Sequence, residues 1–291
     1  MSNNSSSFES FAEQIATQLA SSIFQTTELL AELVRMSEKY YSNSHSVFVG
    51  EKSEAVARSL GCNEGDCFEI KTAGLLHDIG KIGSPDNILS RQPNELSTDD
   101  FRYYSSHIEE GYRLLSIHEE LKSIANIVFQ HHERIDGSGF PNRLKKNDIN
   151  LGAKIISVVD YYHNAMFRLP RDKRASNSQI TNTTTYLEST HPRFVQTMNY
   201  LHQKSGIYYS VDVVDAFTAV IEAERRQLGE KTILRVAVNQ IKPGMLFAND
   251  YSTSYGLLIA ASGEPISEEA IKRLVSLAEI GEIPSKILVM R

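Results

Sequence analysis

Along most of the first 228 positions, apolar residues recur at steps of three and four, the spacing of an amphipathic helix. Phe8, Phe11, Ile15, Leu19 and Ile23 begin one stripe, and Leu29, Leu30, Leu33 and Val34 continue it, in a segment without Gly or Pro from Phe8 to about Tyr41. Such a stripe either packs on the body of its own chain or serves as a dimerisation or signal-input surface. A polar Ser/Asn tail, residues 1–7, precedes it. Further helices are predicted over about His45–Leu60, closed by Gly61 as C-cap, and over about Asp66–Lys81. Ser97 opens a fourth that runs to about Leu115, with Asp99 and Asp100 in its first turn. A fifth spans about Glu119–His132. Residues 133–150, ERIDGSGFPNRLKKNDIN, are dense in turn formers. Helices follow over about Leu151–Met166, Arg193–Gln203 and Ser210–Arg226, with the polar loop RLPRDKRASNSQ after the first of them.

Near residue 230 the texture changes. ILRVAV, MLFAND, GLLIAAS and KILVM are short β-prone runs between Gly, Pro and polar turns, and SEEAIKRLVSLAEI is a helix capped by Ser267. The expectation is an all-α helical bundle with an N-terminal helix and a small C-terminal α+β appendage. Its parts are residues 1–40 (tail and first helix), 41–228 (the body) and 229–291 (the appendage).

Charge and composition narrow the function. Thirty-six acids against 30 bases leave a net charge of -6, which argues against a non-specific nucleic-acid binder. Hydrophobic residues at 41% and charged residues at 23% are globular proportions. Two cysteines, Cys62 and Cys67, exclude a disulfide scaffold and read as ordinary reduced thiols. No apolar run approaches the roughly 18 residues of a membrane span, and the first residues lack the basic and apolar regions of a secretory signal. A cytoplasmic protein is expected.

The chemistry lies in the histidines. His45, His77, His107, His131 and His132 fall at or near ends of different predicted helices, and Asp78 and Asp160 join them. Neutral imidazole and carboxylate are the usual ligands of divalent iron, manganese, zinc or nickel, and packed helices can aim such groups at one point. Spacing alone leaves metal ligands and ordinary core histidines equally open.

The surrounding sequence separates them. LLHDIGKIGSPDNIL carries the His-Asp doublet of the HD phosphohydrolase superfamily, and HHERIDGSGFP resembles the second signature of the HD-GYP family. His107 with Gly111 in HIEEGYRLL resembles the family's intervening helix, His45 its first histidine, and Asp160 in AKIISVVDYY its last aspartate. The resemblance spans about residues 30–225. It implies an HD-type bundle in a bacterial signalling hydrolase that opens cyclic di-GMP with a metal-activated water. It implies two divalent ions, iron or manganese. His45, His77, Asp78 and Asp160 would hold one, and Asp78 as a bridge, with His107, His131 and His132, the other. Trinuclear members are expected to carry a carboxylate one turn before the first histidine. Tyr41 stands there, which favours two ions. Lys81, in the HDxGK motif, would meet the scissile phosphate; its plainer reading is a helix C-cap lysine.

Some positions depart from the family. Gly139-Phe140-Pro141 replaces Gly-Tyr-Pro, keeping a ring that could stack on guanine without the hydroxyl. Asp136, Gly137 and Gly139 are assigned to the turn itself. Where members show an acid and then Arg-Pro-Tyr-Arg, this chain has YYHNAMFRLPRDKR. Arg168 and Arg171 either grip phosphate or base or are solvated loop charges. His118, His163, His191 and His202 match no motif, although His163 lies one turn after Asp160. The leading function is hydrolysis of cyclic di-GMP to pGpG, with the further step to GMP left open. The alternatives are another cyclic dinucleotide or nucleotide, or a weakly active dinucleotide sensor that docks GGDEF-domain proteins. A homodimer through the N-terminal helix is the expected self-association.

Overall fold

The computed structural model describes residues 22, 25–41, 44–168, 192–230, 233–248, 251–252, 258–261 and 263–290. The first helix, α1, covers residues 25–37. The helical part continues with α2 (His45–Ser59), α3 (Glu64–Leu76), a 3-10 turn (Ile79–Lys81), α4 (Asp86–Leu89), α5 (Thr98–Ser105), α6 (His107–Leu115), α7 (Lys122–Gln130), α8 (Leu151–Phe167), α9 (Pro192–Lys204) and α10 (Val211–Glu230). The C-terminal part contains β1 (Ile233–Ala237), β2 (Leu246–Phe247), β3 (Tyr251–Ser252), β4 (Leu258–Ala260), α11 (Glu268–Glu279) and β5 (Lys286–Met290).

The centre of the bundle is α8. Ala153, Ile155, Ile156, Val158, Val159, Tyr162 and Met166 are fully buried, so this helix is apolar on nearly every side and packs against α2, α3, α7, α9 and α10. α2 and α3 cross closely because glycines meet there: a Cβ on Gly74 would lie 2.8 Å from the Gly50 Cα. Asn63 starts α3 by accepting a hydrogen bond from the Asp66 N–H (2.9 Å). Asn150 does the same for Gly152 at the start of α8 (2.7 Å).

Three predicted helices are interrupted, each next to a candidate ligand. The run predicted to reach Lys81 ends at Leu76, and His77 and Asp78 stand in the turn beyond it. The helix predicted over Ser97–Leu115 breaks at Ser106 into α5 and α6. There the Ser105 and Ser106 hydroxyls donate to the carbonyls of Arg102 (2.9 Å) and Tyr103 (2.7 Å), a side-chain competition that bends helices. The predicted Glu119–His132 helix is a 3-10 turn followed by α7, and it ends at Gln130.

Val34 of α1 is fully buried in the helical core, with Leu30 and Ala31 packed against it, whereas Leu29, Leu33 and Met36 are exposed. The stripe on α1 is therefore divided between the body and solvent. The earlier stripe residues, Phe8, Phe11, Ile15, Leu19 and Ile23, lie outside the described residues.

The β-prone runs form an antiparallel sheet in the order β1-β5-β2 and a hairpin, β3-β4. Val238, Phe247, Leu274, Ile287 and Val289 belong to a second buried cluster distinct from the helical core. Ser267 caps α11 as predicted, accepting from the Ala270 N–H (3.1 Å).

Candidate metal centre

Side chains from five elements come together. His45 opens α2, His77 and Asp78 lie beyond α3, and Asp160 projects from the middle of α8. Nε2 of His45 is 3.1 Å from Nε2 of His77 and 3.2 Å from Oδ1 of Asp160. His77 Nε2 is 3.6 Å from the same Asp160 oxygen. Beside them, His107 opens α6 and His131 and His132 follow α7; their ligand atoms lie within 4.8 Å of one another.

Asp78 stands between the two groups and faces each with a different oxygen. Oδ2 is 3.5 Å from His77 Nε2 and 3.8 Å from His45 Nε2, while Oδ1 is 3.7 Å from His107 Nε2. All seven residues named from the sequence thus meet at one place.

The chemistry of this donor set fits divalent metal. His77, His107 and His131 each donate Nδ1–H to the carbonyl three residues back, of Gly74, Tyr104 and Val128. In a neutral ring that leaves the lone pair on Nε2, facing the centre. Nε2 of His107, His131 and His132 and Oδ1 of Asp78 are buried with no hydrogen-bond partner, an arrangement that costs free energy unless a cation satisfies it. Burial, with Lys81 nearby, pushes His107 down to about 3; burial and His77 push His131 down to about 4. Both rings are therefore neutral, as ligands must be. Burial opposes ionisation of Asp78 and Asp160, yet the imidazoles around them, and Lys81 at Asp78, hold both carboxyls well below the usual range. Burial alone would lower His77, but Asp78 and Asp160 raise it to about 9, the pull of two carboxylates on positive charge at this point.

Lys81 closes one side. Its Nζ lies 2.6 Å from Asp78 Oδ2 and 5.1 Å from the centroid of the Tyr104 ring. Burial works against its charge, but Asp78 outweighs burial and raises its pKa. A narrow cleft beside Asp78 and Lys81 is lined by Tyr41, Tyr104, Leu89 and Arg168, with Val34 and Ser37 of α1 on its wall. The N-terminal helix therefore borders the site, a placement its apolar stripe did not disclose.

Arg168 is 8% exposed, which excludes the reading of a solvated loop charge. One guanidinium nitrogen donates to the carbonyls of Leu89 (2.7 Å) and Arg91 (2.9 Å), tying the end of α4 and the residues just beyond it to the end of α8. Its Nε is buried without a partner. Arg171 and His191 lie outside the described residues. Phe140 stacks on His132 (centroids 5.0 Å, planes 27° apart) with Phe101 at its edge. Asp136 caps its turn as expected, accepting from the Ser138 N–H (2.9 Å) and hydroxyl (2.7 Å). A Cβ on Gly139 would overlap the backbone of Glu133 and Arg134, so the close approach demands glycine. Glu133, 2% exposed, fastens the loop by accepting from the N–H groups of Asn142 (2.7 Å) and Leu144 (3.0 Å).

Several residues at the site went unassigned in the sequence. Glu38 accepts from the N–H groups of His45 (2.9 Å) and Ser46 (2.7 Å), capping α2 from seven residues away. Asn164 donates to Asp160 Oδ1 (2.7 Å) and accepts from the Tyr41 hydroxyl (2.9 Å). Tyr41 also stacks on His45, with centroids 4.2 Å apart and planes 6° from parallel. His163 Nδ1 lies 2.8 Å from His45 Nδ1. The signal for His163 and Asn164 was their spacing from Asp160, three and four residues along one helix face. Glu38 had no local signal.

The HD domain family matches residues 11–183, and this chain belongs to it. A cyclic di-GMP phosphodiesterase of Thermotoga maritima is 31% identical over 230 residues, covering 77% of this chain and 57% of the relative. A second, of Pseudomonas aeruginosa, is 34% identical over 52% of this chain and 37% of its own length. A 3'3'-cGAMP-specific phosphodiesterase of Vibrio cholerae is 34% identical over 42% of this chain and 23% of its own. In each case the chain spans less than two thirds of the relative's length.

Proposed function

We propose that the protein is a metal-dependent phosphodiesterase that hydrolyses cyclic di-GMP to linear pGpG and then to GMP. The observation that carries this reading is Asp78, whose two oxygens face two separate histidine groups. His45, His77, Asp78 and Asp160 would hold one divalent ion, and Asp78, His107, His131 and His132 the other; iron and manganese suit the mixed imidazole and carboxylate set. Ions held there supply Lewis acidity, activating water as the nucleophile and neutralising phosphoryl charge.

The protein's own groups do the rest. Hydrolysis adds water to one phosphorus, breaks its bond to the ribose 3′ oxygen and returns a proton to that oxygen. Lys81, charged and fixed at Asp78, faces the cleft and stabilises the phosphoryl oxygens as their charge grows. The second phosphate and the purines need other partners. Arg168 beside the cleft, Arg171 beyond it in sequence and the Phe140 ring supply a guanidinium fork and an aromatic face.

A second reading keeps the chemistry and changes the base, because the relatives include 3'3'-cGAMP-specific phosphodiesterases. Initial hydrolysis rates on cyclic di-GMP and 3'3'-cGAMP, with products resolved by chromatography, separate the two. Higher kcat/KM on cyclic di-GMP, with pGpG appearing before GMP, is the expected result; higher kcat/KM on 3'3'-cGAMP would transfer the assignment.

A further inference from the structure

Three ligand imidazoles have their Nδ1 protons fixed by carbonyls of their own helical turns, an acceptor that no side-chain substitution removes. His45 is held differently. Its Nδ1 meets Nδ1 of His163, which comes from another helix, α8, at 2.8 Å. Two imidazole nitrogens at that distance hydrogen-bond only if one carries a proton and the other a lone pair. Nε2 of His45 faces His77 Nε2 at 3.1 Å and Asp160 Oδ1 at 3.2 Å, so a ligand role requires the lone pair at Nε2. The one proton of the neutral ring then sits on Nδ1, and His163 must accept it.

We propose that His163 is a positioning residue of the metal centre: it accepts the Nδ1 proton of His45 and so reserves His45 Nε2 for the ion held with His77, Asp78 and Asp160. The inference rests on the metal-centre reading above. His163 is fully buried, and the rings of Phe48 (4.8 Å), Phe167 (4.8 Å) and Tyr41 (5.4 Å) enclose it, so the acceptor cannot swing away. The next residue of α8, Asn164, holds Asp160 by donating from Nδ2 to its Oδ1 at 2.7 Å. One turn of α8 thereby orients two ligands of a single ion and none of those around His107. Partners of this kind set ligand tautomer and direction, and their loss typically costs 10–100-fold in metal affinity.

The test uses the full chain. In protein loaded with Zn2+, a diamagnetic probe, 15N NMR should show scalar coupling between the two Nδ1 atoms through the hydrogen bond, with the proton on His45. Metal-free parent, His163→Phe and His163→Asn are then titrated with Mn2+ and followed by electron paramagnetic resonance. His163→Phe removes the acceptor and should weaken one of two Mn2+ sites roughly 10–100-fold while sparing the other. His163→Asn places an amide oxygen where Nδ1 stood and should restore the weakened site. A His163→Phe protein that binds both ions with parental affinity overturns the inference, as does a proton found on His163 Nδ1. Should the Phe variant not fold, a folded Asn variant that loses the site overturns it equally. A parent that binds no Mn2+ would instead remove the centre itself.

Discussion

Gly80 lies directly against the carbonyl oxygen of His107, and a Cβ at Gly80 would overlap that oxygen. The 3-10 turn that follows Asp78 and the helix that begins with His107 are thus separated by no side chain. Gly80→Ala should force them apart, at about 1–3 kcal/mol of stability, the usual cost of overpacking. Because Asp78 Oδ1 faces His107, the same shift should reduce bound metal. Thermal unfolding and metal analysis of the variant check both; a parental melting temperature with full metal content would show that the contact does not set the geometry.

Lys81→Met keeps the length of the side chain and deletes its charge. Loss of one preorganised electrostatic partner of a developing oxyanion costs on the order of a hundredfold or more in kcat. Metal content should persist, since Lys81 is not a ligand. Steady-state kinetics beside metal analysis would reveal the split, and a variant with parental kcat would return Lys81 to the role of a helix-end lysine.

Arg168→Ala should act twice. The carbonyls of Leu89 and Arg91 lose their donor, at about 1–3 kcal/mol for buried groups left unsatisfied. If its Nε reaches substrate, KM should rise more than kcat falls, because binding common to substrate and transition state is removed. Unfolding and kinetic measurements on one preparation distinguish the two effects. A change in stability with KM unaltered would confine Arg168 to the scaffold.

The second buried cluster, around Val238, Phe247 and Leu274, contains none of the seven candidate ligands. Truncation after residue 228 should therefore leave metal content intact and change stability or self-association. A folded truncated chain that has lost its metal would move the functional boundary beyond residue 228.

The legible part of this protein was the part carried by local chemistry. Three-and-four spacing found most helices, and the candidate ligands came from two short signatures, the His107 helix between them, and the resemblance of His45 before them and Asp160 after them. The breaks were not legible. His77 and Asp78 sit in a run that reads as uninterrupted helix, and the turn that follows packs its Gly80 on His107, a contact between residues distant in sequence. Ser106 looked like a helical position until its hydroxyl and that of Ser105 claimed backbone carbonyls. His163 had the right spacing from Asp160, but a partner on a different helix is a tertiary fact. Glu38 reaches the start of α2 across a turn that no periodicity describes.

The central claim is that one carboxylate, Asp78, joins two groups of histidines into a metal centre that performs the hydrolysis. The most direct measurement compares parent and Asp78→Ala purified without oxygen, with metal quantified per chain and cyclic di-GMP turnover assayed on the same samples. The parent should carry about two divalent ions, as two-metal phosphoryl-transfer sites do. The variant should keep its helical circular dichroism while losing most of the metal and the turnover. An Asp78→Ala protein that hydrolyses cyclic di-GMP at the parental rate would contradict the account.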